Sequence, residues 1–318
     1  MISAVITNYN GYDILKRDFQ KIYTNLCDSG VAEIIVVDDA SSDQSVDYLN
    51  TCFPEVIVVS LPVNEGFSKA SNAGAARASH PILLFLNNDV VPNLFDQSIV
   101  SDYFKDNALF ALSPKIIRKK NGKDFIESHT FGQFRLGQID YGQTQSRYPK
   151  RVLYEGDPIF FACGGGAFIS KDKFYQIGGF DSLYFPFYVE DVDLSFQAWR
   201  MGWKSLYTEK VSFFHYHSST NSAYFSWFYI RLVSKRNVYL FNWKMIDSIR
   251  HFISHILLIF FKCVTLQILD MISIVKALIL LPQVIEFKKR DFKYSTRFIL
   301  HEMKKTNPSS VFHQFPTS

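Results

Sequence analysis

Runs of unbroken apolar residues alternate with amphipathic stretches through the first third of the chain. SAVIT at 3–7, EIIVVDD at 33–39, VIVVSL at 56–61 and ILLFLNND at 82–89 lack the in–out alternation of a sheet wetted on one face, so each reads as a strand buried on both sides. Between the first two, Ile14, Leu15, Phe19, Ile22, Tyr23 and Leu26 recur at helical spacing. Ser42 stands where it could cap a helix from Asp43 to Cys52, and residues 66–79 are Ala-rich and helical. Buried strands alternating with helices predict an α/β fold whose mainly parallel sheet carries helices on both faces. In such sheets ligands gather beyond the carboxyl ends of the strands. Polar clusters stand at those ends: Thr7-Asn8, Asp38-Asp39 and Asn87-Asn88-Asp89.

The pattern then changes. Residues 114–160 are rich in Gly, Gln and Tyr and read as a loop-rich insertion. CGGGAFIS at 163–170 is a glycine turn entering a strand, and Gly165 and Gly166 suit either a tight turn or close approach of backbone amides to a ligand. VEDVDLSFQAWRMGW at 189–203 carries Val192, Phe196, Trp199 and Trp203 at helical spacing, with both tryptophans read as core. Glu190 and Asp191 fall at that helix start, after the aromatic run FDSLYFPFYV. His215 and His217 follow a short strand.

From residue 222 the chain is helical, apolar and basic, which divides it into a catalytic-type unit at 1–221 and an extension at 222–318. Within 252–281, His255, Lys262, Asp270, Ser273 and Lys276 fall on one helical face. That predicts an amphipathic helix with a narrow polar stripe rather than a membrane span, followed by the basic residues Lys288, Lys289, Arg290, Lys293 and Arg297.

Charge sharpens the division. Residues 222–318 hold 14 Lys+Arg and 5 Asp+Glu; the remaining 20 and 25 lie in residues 1–221. An acidic front suits a metal site. A basic, apolar tail suits an anionic membrane surface; packing on the front unit or a homo-oligomer interface is the alternative. A nucleic-acid partner is disfavoured, because the basic residues sit among apolar ones. The four cysteines have no zinc or disulfide spacing, and MISAVITNYN lacks a secretory layout. The expectation is a cytoplasmic protein, peripheral at the inner face of the plasma membrane. The stretch NEGFSKASNAG at 64–74 is neither a Walker loop nor a dinucleotide fingerprint.

Singly, each acidic strand end is ordinary turn chemistry. Together they suit a nucleoside diphosphate, which needs partners for its hydroxyls and an oxygen-coordinated divalent cation for its pyrophosphate. The succession VITNYN, VVDDASSD, NEGFSKASNAG, LFLNND, FYVEDVDL and FFH resembles family 2 glycosyltransferases of the GT-A fold, most nearly a rhamnosyltransferase-like bacterial branch that builds surface polysaccharides.

The resemblance implies a GT-A-like, Rossmann-like catalytic unit over about residues 2–242 and inverting transfer of a sugar from a UDP- or dTDP-type donor to a hydroxyl of a saccharide or lipid-linked saccharide. Thr7, Asp38 and Asp39 would hold base and ribose; Asn64, Gly66 and Asn72 would line the nucleotide pocket, to which Asn8, Asn88, Gly165 and Gly166 add. Asp89 closes the motif usually written D-x-D and would bind Mn²⁺ or Mg²⁺ with His215, His217 being the reserve ligand. Asn87 replaces the first acid of that motif, which removes one charge from the site. Asp191 would be the base and Glu190 its assistant, with Asp193 the next alternative. The rival readings are a sugar-phosphate nucleotidyltransferase and a non-catalytic assembly partner of the same fold. The first would carry a Gly-rich basic loop after the first strand, where residues 8–16 offer only Gly11 and Lys16.

Overall fold

The structure, a computed structural model, describes residues 1–120, 122–147, 152–216 and 224–303. The front begins β1 (Ile2–Asn8), α1 (Tyr12–Asp28), β2 (Glu33–Asp38), α2 (Ser45–Cys52), β3 (Ile57–Ser60), α3 (Gly66–Arg77) and β4 (Ile82–Asn87). These four strands pair in parallel in the order β3-β2-β1-β4. The continuous apolar runs are explained by burial on both faces. Ile2, Ala4 and Ile6 pack with Leu15, Phe19 and Ile22 of α1, whereas Val5 packs with Ala70 and Ala75 of α3. Gly74 lets α3 lie close, since a Cβ there would meet Val5 Cγ1 at 2.3 Å.

The sheet continues through β5 (Val90–Pro92), β6 (Leu109–Lys120), β7 (Lys123–Ile126), β10 (Gly166–Ser170) and β11 (Lys204–His215), with β8 (Thr130–Arg135) and β9 (Gln138–Gln143) forming a separate antiparallel pair. Helices α4 (Gln97–Tyr103), α5 (Thr144–Arg147), α6 (Lys171–Ile177) and α7 (Glu190–Met201) connect them. In this mixed sheet β10 runs antiparallel to both β4 and β6, while β6 and β11 are parallel.

Three local expectations are corrected. Residues 114–160 hold four strands or parts of them rather than loops; their half-polar composition is that of hairpins with one wet face. Helix α2 starts at Ser45, not Asp43, and Ser42 does not cap it: its amide and hydroxyl donate to Asn10 Oδ1, while Asp43 Oδ1 accepts from Ser45 N. Both tryptophans pack on the core as expected, Trp199 fully buried and donating to Ile159 O and Trp203 stacked on buried Phe110, but Trp203 lies past the end of α7 rather than on its helical face.

The extension comprises α8 (Trp227–Met245), α9 (Ile249–Val264), α10 (Ile268–Ile279), α11 (Leu281–Phe287) and α12 (Thr296–Glu302). It shares one apolar cluster with α7, in which Val192, Phe196 and Trp199 meet Tyr239, Leu240, Phe241, Val284 and Ile299. Lys244 of α8 is buried, its Nζ 2.7 Å from Asp181 and 2.9 Å from Asp193. The single amphipathic helix expected over 252–281 is broken at Thr265-Leu266-Gln267, where Leu266 adopts a left-handed φ of 52°. No single helix among the described residues is long and apolar enough to cross a membrane; α10 and α11 reach that length only together, bent by 61°.

The polar stripe of the extension faces the protein. His255 is buried against Trp243 and Gly137 O; Asp270 accepts from Lys235, Lys262 and Tyr239; Ser273 donates to Leu232 O. Lys276 is the exception and is exposed.

Candidate active site

The ends of β1, β2 and β4 open into a cleft of about 430 Å³. Thr7, Asn8, Asp39, Asn64, Gly66, Asn88, Asp89, Gly165, Glu190, Asp191 and His215 all line it. Residues scattered over the whole front are thus brought to the switch in strand order beside β1, where such sheets bind ligands.

On one side the wall is tied by its own polar groups. Asn8 donates to Asp38 Oδ1 at 3.0 Å and accepts from Asn88 Nδ2 at 2.8 Å. Asp39 accepts from the amides of Glu65 at 2.7 Å and Gly66 at 2.8 Å, which fixes the loop entering α3. Gly66 has φ +75°, and a Cβ there would lie 2.8 Å from Pro186 O, so only glycine fits between this loop and the segment before α7.

The acids at α7 are set by an unusual backbone. Tyr188 and Val189 both adopt left-handed φ, 72° and 84°, a conformation that costs about 1–2 kcal/mol for a side-chain-bearing residue. Asn237 of α8 holds this segment from behind: its Nδ2 lies 2.9 Å from the carbonyl oxygens of Tyr184, Phe187 and Tyr188. Asp191 accepts from Gly164 N at 3.1 Å and from Val192 N at 2.8 Å. Burial pushes its carboxyl above the usual range even though these amides oppose the shift. Glu190 is raised further by burial and by the neighbouring charge of Asp191, and its Oε2 is buried with no hydrogen-bond partner among the described residues. The rim is aromatic, with Phe187 packed on Tyr188 and on Phe225.

The third element is a carboxylate–imidazole pair. Antiparallel pairing of β5 with β11 sets His215 opposite Val90, next to Asp89, and the Nε2 to Oδ2 distance is 3.4 Å. His215 Nδ1 lies 2.6 Å from Glu127, which in turn pairs with Arg118 at 2.6 Å. Burial disfavours the imidazolium, but the Asp89 and Glu127 contacts outweigh it and push the pKa up to about 9. Among the described residues no three His, Cys, Asp or Glu side chains form a ready cation cage. A cation would have to displace the proton from His215; Asp89 and the deprotonated ring would then offer one oxygen and one nitrogen from one wall, and a carboxylate on the far ring nitrogen is the usual support of a metal-bound histidine. An oxygen and a nitrogen donor of this kind would suit a Mn²⁺-type ion.

Comparison with known proteins shows the family and the fold. Residues 3–178 match the model of glycosyl transferase family 2. The chain belongs to that family. The matched span holds the strand-end residues but not Glu190, Asp191 or His215. N-acetylgalactosaminyltransferase 6 of Drosophila melanogaster is 28% identical over 218 residues, 63% of this chain, and the chain spans only 32% of that relative. GalNAc-T7, solved with UDP, GalNAc and Mn²⁺, shares the fold with a TM-score of 0.59 at 18% identity, over 78% of this chain and 48% of that one. A mannosyltransferase of Pyrobaculum calidifontis, solved with GDP-Man and Mn²⁺, superposes on 94% of this chain and 84% of its own, with a TM-score of 0.51 and 12% identity. The GT-A-like fold is thereby established.

Several site expectations are corrected by the geometry. Asn72 does not line the cleft; it faces away and exchanges hydrogen bonds with the Phe180 backbone, tying α3 to the turn before α7. Asp38 supports rather than lines it, accepting from Asn8, Ser41 N and Ser41 Oγ. Gly166 is the first residue of β10, packed under Ile116 and Phe213; of the glycine turn, Gly164 and Gly165 line the cleft. Asp193 points into the core toward Lys244, Tyr184 and Gln197, which removes it as an alternative base. His217 lies outside the described residues. Glu127 is the addition: it sits in the stretch read as loops, where no periodic pattern marks it.

Proposed function

We propose that this family 2 chain is an inverting glycosyltransferase that moves a sugar from a UDP- or dTDP-type donor to a hydroxyl of a saccharide or lipid-linked saccharide, of the kind built into surface polysaccharides. The observation that carries the proposal is the single cleft, which joins nucleotide-type polar groups, a carboxylate–imidazole pair and a buried acid. Thr7, Asn8, Asp39 and Asn64 hold the nucleoside. Asp89 and His215 would hold a divalent cation, which would supply neutralising charge for the diphosphate.

Asp191 accepts the proton of the acceptor hydroxyl as that oxygen bonds to the anomeric carbon. The bond from this carbon to the diphosphate oxygen breaks, and the nucleoside diphosphate leaves with the electron pair. A raised carboxylate is the better base, and the Gly164 amide fixes its direction. Glu190, buried beside it, orients the acceptor. Asn87 packs its amide against Gly165, so Asp89 is left as the one carboxylate of its motif. Thermal shift across nucleotides and nucleotide sugars, with and without Mn²⁺, tests the reading. A Mn²⁺-dependent rise with UDP or dTDP is expected; no rise with any nucleotide would sink it.

A further inference from the structure

Helices α9 and α10 are built inside out. Their buried positions carry the polar groups His255, Asp270 and Ser273 with only Ile274 and Ala277 beside them, while Ile253, Leu257, Phe260, Phe261, Ile268 and Val275 are exposed, Phe260 by 66% and Ile268 by 68%. An apolar surface of this length exceeds what a soluble monomer leaves open to water. Asp270 is the one acid between 249 and 279, and it is buried and paired; Arg250 and Lys276 are exposed on the same stretch.

The contacts also fix its direction. His255 meets Trp243, Lys262 meets Tyr239, Asp270 meets Lys235 and Ser273 meets Leu232. The ribbon therefore runs antiparallel to α8 and brings its last turns toward the start of that helix. There Trp227, Phe228 and Tyr229 are exposed, and Tyr229 stacks on Phe225 at the cleft rim, ring centroids 5.3 Å apart.

We propose that an anionic bilayer surface covers this ribbon and the aromatic first turn of α8, so that the mouth of the cleft opens at the lipid surface. Apolar side chains enter the acyl boundary, Trp and Tyr take the headgroup level, and Arg250 and Lys276 meet anionic headgroups, whereas Lys288 and Arg290 are held by Ile246 O and by Gln197 and Ile177 O. Charge favours lipid over a second copy of the chain, because two ribbons face to face would bring Arg250 and Lys276 against like charge. On the glycosyltransfer reading, the acceptor then reaches the cleft from the plane of the bilayer.

The test uses the full chain with phosphatidylglycerol and phosphatidylcholine vesicles. Sedimentation with phosphatidylglycerol vesicles is expected, and Phe260→Asp with Ile268→Asp should weaken it by about tenfold or more without moving the thermal midpoint or UDP binding. Arg250→Ala with Lys276→Ala should erase the preference for the anionic lipid. Brominated lipid should quench a fluorescence component that Trp227→Phe removes. Absence of vesicle binding overturns the proposal, as does a dimer by light scattering that Phe260→Asp with Ile268→Asp converts to monomer. Quenching that persists in Trp227→Phe overturns the placement of the mouth. None of these readouts needs turnover, so docking with no nucleotide binding would defeat the glycosyltransfer reading alone.

Discussion

Around β1 and β4, apolar side chains are inside and polar ones emerge only at the strand ends: Val5 and Phe85 are buried, while Asn8 and Asp89 open into the cleft. Along α9 and α10 the order is reversed, with Asp270 inside and Ile268 outside. The carboxylates follow suit. At the cleft, burial dominates and raises Glu190 and Asp191. In the extension, burial acts in the same direction on Asp270, but hydrogen bonds from Lys235, Lys262 and Tyr239 overcome it and hold the carboxyl at about 2. Glu190 and Asp191 at the cleft are thus poorly compensated, whereas Asp270 in the extension is well compensated.

The contrast breaks most visibly at Asp191. Asp191→Asn should lower turnover by about 10²–10⁴ with nucleotide affinity unchanged, measured by donor hydrolysis or transfer. The acidic limb of kcat/KM should vanish with it; wild-type-like turnover with the limb retained would move the base to Glu190. Next, Asp89→Ala should abolish Mn²⁺-dependent UDP binding in calorimetry, and Glu127→Gln should weaken Mn²⁺ affinity about tenfold. Equal Mn²⁺ affinity in both variants would remove the pair from the site.

In the extension, Asp270→Ala should destabilise the chain by about 2 kcal/mol, less than the ~3–5 of a fully buried pair, because both lysines reach water. Since the folded pKa of Asp270 is depressed, its contribution is present above the ordinary carboxylate range and is lost as pH falls toward 2. Urea unfolding at two pH values would show it. Glu190→Gln is the smallest effect and of opposite sign. Its folded pKa is raised, so the ionised form weakens the fold at neutral pH, and the substitution should raise Tm by roughly 1–3 °C. The gain should shrink as pH falls toward the ordinary carboxylate range, because the raised group is then protonated in the folded state. A lower Tm at neutral pH would mean that the buried Oε2 is not a burden.

The front was readable because double burial leaves a long apolar run ending in polar residues, and the run survives in the sequence of Ile82–Asn87 as plainly as in its strand. The cleft residues at those ends followed from topology. Asn72 misled because a step of two residues from Ala70 swings a side chain from the cleft to the turn at Phe180, and residue identity carries no such sign. Glu127 escaped because its position depends on β7 pairing with β6 and on β11 lying alongside, all non-local. In the extension, periodicity marked the polar stripe but not the side it faces: amphipathic patterns are the same whether the apolar face meets a core or a lipid.

Asn237 has a consequence for how this chain can diverge. One amide is matched to three carbonyls of the segment 184–188, so the helix that carries it and the segment that sets the two cleft acids form a single inherited unit. A chimera joined between residues 221 and 222 would part the lock from its key, whichever relative supplied the other half. A joint placed after Met245 would keep them together and leave the outer helices free to be exchanged.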